Sequence, residues 1–294
     1  MRFLPYLQLF RADAAVITFS SYLFGAELAG GAHFRDLGLG LLVTLVSMNF
    51  CYTYNSWTDR EADALNKPGR PIPGGRISQE EARRFSQALF ILSMAYPFFV
   101  APSFASLVLF LALPLLGWLY SSPRVRLKKR PPFSILIISG GLTIPLVLGY
   151  INISHSMERS GLFLCLLAFC ASVIPLKDIG DEAGDLRAGE VNLHHRYGRR
   201  LPAFTVAGLS VVFLLALIVD EPWMIRGGTA WMALSGLAVA GGYMSRRKSP
   251  RDPYTVAIRL VEMLAVGGWL TAFLANRDLL GPWNEWVRVG MGLG

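Results

Sequence analysis

Three features of the 294-residue chain predict an all-α, polytopic membrane fold: its composition, its apolar stretches and the placement of its charges. Hydrophobic residues make up 53% and charged residues only 16%, against about a quarter charged in an ordinary soluble chain. That composition excludes intrinsic disorder and argues against a soluble protein. Cys51, Cys165 and Cys170 all lie in apolar stretches, so they read as membrane-buried packing residues and not as a disulfide scaffold.

A helix needs about 20 apolar residues to cross about 30 Å of hydrocarbon. Nine stretches qualify: 13–31, 36–55, 85–103, 104–120, 134–153, 160–177, 202–219, 228–245 and 257–275. The first lacks a small-residue cleavage site and is followed by others like it, so it reads as a span and not as a cleaved leader. The second runs into an acidic window. A tight turn at Pro102-Ser103 divides the third from the fourth, and the fourth opens into a basic loop. The sixth ends at a second acidic window, and the eighth at a short basic loop.

The chain carries 28 Lys and Arg against 20 Asp and Glu, a net charge of +8. Of the basic residues, 22 fall in the N-terminal segment and the loops after the even-numbered spans; five lie on the other side, and Arg259 is within the last span. Basic residues collect on the cytoplasmic side. The expected protein is therefore integral to the cell's inner membrane, with its N-terminus and long loops (56–84, 121–133, 178–201 and 246–256) cytoplasmic and its C-terminus on the opposite side. Topology explains most of the basic excess, leaving the lipid bilayer as a partner and nucleic acid as an unexpected one.

Eight of the 20 carboxylates fall in two windows on that cytoplasmic side. In the first, Asn55, Asp59 and Asp63 are successive i, i+4 neighbours, so a continuing helix projects their oxygens from one face while Glu61 points away. In the second, the i, i+3 and i+4 spacings of Asp178, Asp181 and Asp185 do the same. Carboxylates stacked on one face repel each other, and need cations. Oxygen donors without His or Cys suit Mg2+, which binds one or two carboxylates plus substrate phosphate. Two such clusters brought together by the bundle would clamp a pyrophosphate through Mg2+. Cationic and hydroxyl partners for phosphate flank them: Lys67 and Arg70 after the first window, Lys177 before the second, and Tyr120, Arg124 and Lys128 in the basic loop. For most of the cations from Arg124 to Arg130, positive-inside anchoring is the simpler reading. Tyr52, Tyr54, Trp57, Trp118 and Tyr150 are candidates to steady a cation through their ring faces, and for any one of them packing is the plainer role.

These residues resemble the UbiA superfamily of intramembrane prenyltransferases. Asn55, Asp59 and Asp63 match its first motif, N-D-x-x-D-x-x-x-D, followed by a characteristic Ala-Leu-Asn-Lys-Pro-Gly-Arg-Pro-Ile-Pro stretch. Asp178, Asp181 and Asp185 match the second, D-x-x-D-x-x-x-D. The resemblance implies one domain over residues 1–294, with nine helices around a central cavity capped by both motifs. It implies Mg2+ at Asn55, Asp59, Asp63, Asp178, Asp181 and Asp185, with the five aspartates catalytic. It further implies an isoprenyl diphosphate donor and a small hydrophobic, aromatic or lipid-like acceptor; the first window looks most like the chlorophyll synthase and archaeal ether-lipid branches. Two positions depart from the pattern: Ser56 stands where the family has Asp, and Val191-Asn-Leu-His194-His195 replaces a Thr-Leu-Pro stretch. The Ser56 departure keeps a second expectation open, a UbiA-type terpene cyclase that needs no acceptor. A transporter is disfavoured, because the spans hold few carboxylates, chiefly Asp13, Glu27 and Glu262.

Overall fold

The computed structural model describes residues 4–177, 193–198, 200–245 and 253–293, and no strand occurs among them. Helices fall on all nine apolar stretches. They are α2 (Ala12–Leu28), α3 (Phe34–Leu42) continuing into α4 (Asn49–Thr58), α6 (Gln79–Ala95), α8 (Phe104–Ser121), α9 (Phe133–Ser154), α10 (Ser160–Val173), α12 (Arg200–Ile218), α13 (Trp223–Ser245) and α14 (Pro253–Asn276). Short helices join them: α1 (Leu4–Leu9), α5 (Arg60–Asn66), α7 (Pro97–Val100), α11 (Leu193–Tyr197) and α15 (Asn284–Met291). Four segments among the described residues are long and apolar enough to cross a membrane: 34–58, 104–121, 133–154 and 200–218. Shorter apolar helices cover 14–28 and 160–176.

Local chemistry sets the boundaries. Ser78 caps α6 by accepting from the Glu81 N–H at 3.1 Å, while the Glu81 side chain accepts from the Ser78 N–H at 2.9 Å. This capping box starts the helix six residues before the predicted apolar stretch, and its first turns carry Glu80, Glu81, Arg83 and Arg84. Ser103 caps α8 through the Ser106 N–H at 3.2 Å, so the turn expected at Pro102-Ser103 is present. Between α3 and α4 the chain widens into a π-helix over Val43–Met48, a feature that apolar periodicity does not encode.

The bundle is organised around the pair α2 and α9. A Cβ at Gly25 would collide with the Leu146 carbonyl, and one at Gly149 with the Tyr22 carbonyl, so two glycines let these backbones touch. One side of the pair continues through α10, α12, α13 and α14 back to α2; the other is completed by α4, α6 and α8. The two ends differ. At one end lie the C-termini of α4 and α8. At the other, fully buried Glu27 ties α2 to α14: it accepts from Asn276 Nδ2 at 2.7 Å and from Arg277 Nη1 at 3.1 Å. Nearby, Glu221 accepts from Arg159 Nη1 at 3.1 Å and from the Leu162 N–H at 3.1 Å, holding the start of α10.

Candidate active site

The first acidic window is a helix with one adjustment. Asp59 separates α4 from α5 with φ −100° and ψ 10°, yet the i, i+4 backbone bonds persist. The Asp59 N–H donates to the Asn55 carbonyl at 2.9 Å, Asp63 to Asp59 at 2.8 Å and Lys67 to Asp63 at 2.7 Å. Asn55, Asp59 and Asp63 therefore share one face, as their spacing predicts. Glu61 points to solvent, with a side chain 85% exposed beside Arg60.

Each acid has a cation. Asp59 is paired with Lys128, from the loop after α8, and the two side chains are only 15% and 9% exposed. Asp63, 8% exposed, is paired with Arg70, 26% exposed. Burial raises the Asp63 carboxyl above its ordinary pKa; Arg70 and Lys67 oppose that push, and Asp59 adds to it. Asn55 Oδ1 accepts from Ser121 Oγ at the end of α8 at 3.0 Å, so α8 is fixed to the motif face by its last turn.

The 67–78 loop holds Arg70 in position. The Arg70 N–H donates to the Lys67 carbonyl at 3.0 Å, and the Gly74 N–H to the Arg70 carbonyl at 2.9 Å. Gly75 takes φ +69°, a left-handed turn that favours glycine. Ile72 and Ile77 bury themselves with Leu9 and Ala82 under α1, and Arg76 bonds both Gln8 and the Gly69 carbonyl. Sequence reasoning missed Ser121, Gln8 and Arg76, whose roles are visible only once distant segments meet.

Of the basic-loop candidates, Lys128 reaches the site while Arg124 is exposed. Tyr120 lies in the last turn of α8, beside Ser121. Lys67 is half-buried next to Asp63. Asp178, Asp181, Asp185 and the side chain of Lys177 lie outside the described residues, as do Val191, Asn192 and the side chains of His194 and His195. Among the described residues no group of three His, Cys, Asp or Glu converges on one point. The donors of the first window are all oxygens, which fits a hard divalent cation.

The aromatic candidates divide. Phe50, Tyr54 and Trp57 stack along α4 with ring centroids 5.4 and 5.7 Å apart. At 3.6 residues per turn this ladder lies opposite Asn55 and Asp59, and Phe50 packs on Phe90 of α6. Tyr54 and Trp57 are thus engaged in ring stacking, and the Tyr54 hydroxyl hydrogen-bonds Ser122 after α8. Tyr150 packs edge-on against Phe163, toward the other end of the bundle. Tyr52 shares the face of Asn55 and Asp59, three and seven residues earlier, with the Arg11 guanidinium 5.5 Å over its ring.

Comparison with known proteins accords with this geometry. Residues 15–274 match the UbiA prenyltransferase family. The digeranylgeranylglyceryl phosphate synthase of Methanopyrus kandleri is 30% identical, with 98% of this chain and 96% of the relative aligned. That of Methanothrix thermoacetophila is 28% identical over 91% of this chain and 97% of its own. Among solved structures, a UbiA homologue from Archaeoglobus fulgidus bound to GPP and Mg2+ superposes with a TM-score of 0.71 at 21% identity, covering 92% of this chain and 99% of that one. The same homologue bound to DMAPP and Mg2+ gives 0.72, covering 91% and 98%. With paired carboxylates on one helical face, an all-helical fold of the same shape and a match over most of its length, the chain belongs to the UbiA prenyltransferase family.

Proposed function

We propose that this prenyltransferase moves an isoprenyl group from an isoprenyl diphosphate to a hydroxyl of a glyceryl-phosphate-type lipid, releasing pyrophosphate. The observation that carries the proposal is the shared face of Asn55, Asp59 and Asp63, with a cation set against each acid. The names of the relatives point to glyceryl phosphate and away from an aromatic ring as the acceptor class. In this reading the bundle crosses the membrane nine times and the motif end faces the cytoplasm, where the basic loops lie.

Asn55, Asp59 and Asp63 would hold Mg2+ together with Asp178, Asp181 and Asp185, and the metal would neutralise the diphosphate and stabilise the departing pyrophosphate. Lys128 and Arg70 are already at the acids, so they are placed to donate to phosphate oxygens once the carboxylates turn to another cation; Lys67, Tyr120, Arg124 and Lys177 complete the candidate set. The apolar interior of the bundle excludes water from the allylic carbon while its C–O bond breaks. Ser121 holds the Asn55 side chain in place by donating to its oxygen.

The test is purified protein in lipid nanodiscs given geranylgeranyl diphosphate with a prenylated glyceryl phosphate, with an aromatic acid, or alone. Products are identified by mass and pyrophosphate is quantified. The proposal expects a doubly prenylated glyceryl phosphate, abolished by EDTA. A prenylated aromatic product would overturn the acceptor class. A cyclic hydrocarbon or alcohol formed without acceptor would establish the cyclase reading that Ser56 keeps open.

A further inference from the structure

At the end of the bundle away from Asp59 and Asp63, α15 presents an exposed apolar surface. The helix turns Asn284, Val287, Gly290 and Met291 inward. Gly290 sits against Met224 and Trp223 with no room for a Cβ, so α15 is seated directly on the start of α13. Its other side carries Trp286 and Val289, 52% and 67% exposed, and Trp283, at the N-cap just before the helix, is 68% exposed. Their three-residue spacing makes one stripe. Trp223, itself 45% exposed, meets Trp286 edge-on at 4.6 Å, and Trp283 meets Trp286 at 6.4 Å. Three of the seven tryptophans in the chain thus form one outward-facing cluster.

The surface has a polar edge and an apolar continuation. Glu285 is exposed and Arg288 pairs with Asp278 at 3.6 Å, so charge borders the stripe without crossing it. Leu214, Leu217 and Ile218 are exposed in the last turns of α12, a helix long and apolar enough to span a membrane that ends five residues before Trp223.

We propose that α15 is an interfacial helix docked on the lipid headgroup region at the end of the bundle opposite the acidic window, with Trp283, Trp286 and Val289 against lipid. Indole rings combine a large apolar face with one N–H donor, and they concentrate where hydrocarbon meets water. A helix with an apolar face and a charged edge lies in that interface plane and buries its apolar side about 5–10 Å deep. Lipid is the occupant that suits this surface, because α12, which ends five residues before Trp223, is long and apolar enough to cross a membrane and carries exposed Leu214, Leu217 and Ile218 in its last turns.

The test uses the full chain in phosphatidylcholine vesicles, with an environment-sensitive fluorophore on Val289→Cys and, as the polar control, on Glu285→Cys. Unmodified protein exposed to the same reagent corrects for labelling of the native cysteines. The proposal expects blue-shifted emission at position 289, loss of that emission with a shallow spin-labelled lipid, a smaller loss with a deep one, and little loss with aqueous iodide. Position 285 should be the more iodide-sensitive. Quenching at 289 by iodide and not by spin-labelled lipid would overturn the proposal, and so would protection from both quenchers, the signature of a second copy on this surface. Should labelling disturb the fold, intrinsic fluorescence serves: shallow brominated lipid should quench the unmodified protein more than a Trp283→Phe, Trp286→Phe double variant, and equal quenching would refute the docking.

Discussion

Replacing Lys128 with Met keeps the side-chain stem and removes the charge, and the structure sets the size of the effect. Asp59 and Lys128 are 15% and 9% exposed, so the pair is largely desolvated. Removing one partner of a buried pair costs about 3–5 kcal/mol, because the other charge is stranded. Asp59 keeps residual solvent access and a long hydrogen bond from Thr58 Oγ1 at 3.4 Å, which brings the expected loss to about 2–4 kcal/mol. A divalent cation at the same carboxylate restores the missing positive charge, and a ligand that binds only the folded state adds to its stability. Lys128→Met should therefore melt several degrees below the unaltered protein in EDTA and recover at least half of the gap in saturating Mg2+, while its turnover falls. The assay is thermal unfolding in nanodiscs at one scan rate, followed by intrinsic fluorescence. Equal melting in EDTA, or a gap that Mg2+ leaves unchanged, would refute the reasoning that Lys128 stands at a metal-binding carboxylate.

Asp63→Asn should abolish Mg2+-dependent turnover without lowering the melting temperature in EDTA at neutral pH. Burial raises the Asp63 pKa, so its favourable contribution is present below the ordinary carboxylate pKa and lost as pH rises past the folded one; melting curves taken from pH 4 to 7 should show less pH dependence in the Asn variant. Gly149→Leu drives a side chain into the Tyr22 carbonyl and should cost at least the about 1–3 kcal/mol typical of overpacking, read as loss of the monodisperse peak in size-exclusion chromatography. Arg277→Met strands fully buried Glu27, but Asn276 still donates to it and Arg277 is 35% exposed. The expected loss is about 2–3 kcal/mol, with Mg2+-dependent activity per folded molecule retained.

Much of the fold was legible because a membrane span is written in bulk composition. Each of the nine apolar stretches is helical, and most boundaries fall within a few residues of those expected. What the sequence concealed has specific causes. α1, α5 and α15 are too short to register as apolar spans, and α6 begins early through a capping box. The π-helix at Val43–Met48 has no counterpart in the apolar periodicity. At the site, helical spacing was enough to align Asn55, Asp59 and Asp63. The choice of Lys128 from among five neighbouring cations was not readable, because it is made by the path of the loop between α8 and α9. The stacking of Tyr54 and Trp57 on Phe50, which packs against Phe90 of α6, was not readable from spacing alone.

The central claim is that the first acidic window binds the metal that makes transfer possible. Its most direct test is the rate of pyrophosphate release from geranylgeranyl diphosphate in the presence of a glyceryl phosphate acceptor, compared between the unaltered protein and Asp59→Asn in the same nanodiscs. The account predicts one pyrophosphate per prenylated product, no reaction in EDTA, and a loss of about 100-fold or more in the variant when rates are expressed per folded molecule. Near-normal turnover by Asp59→Asn would contradict it.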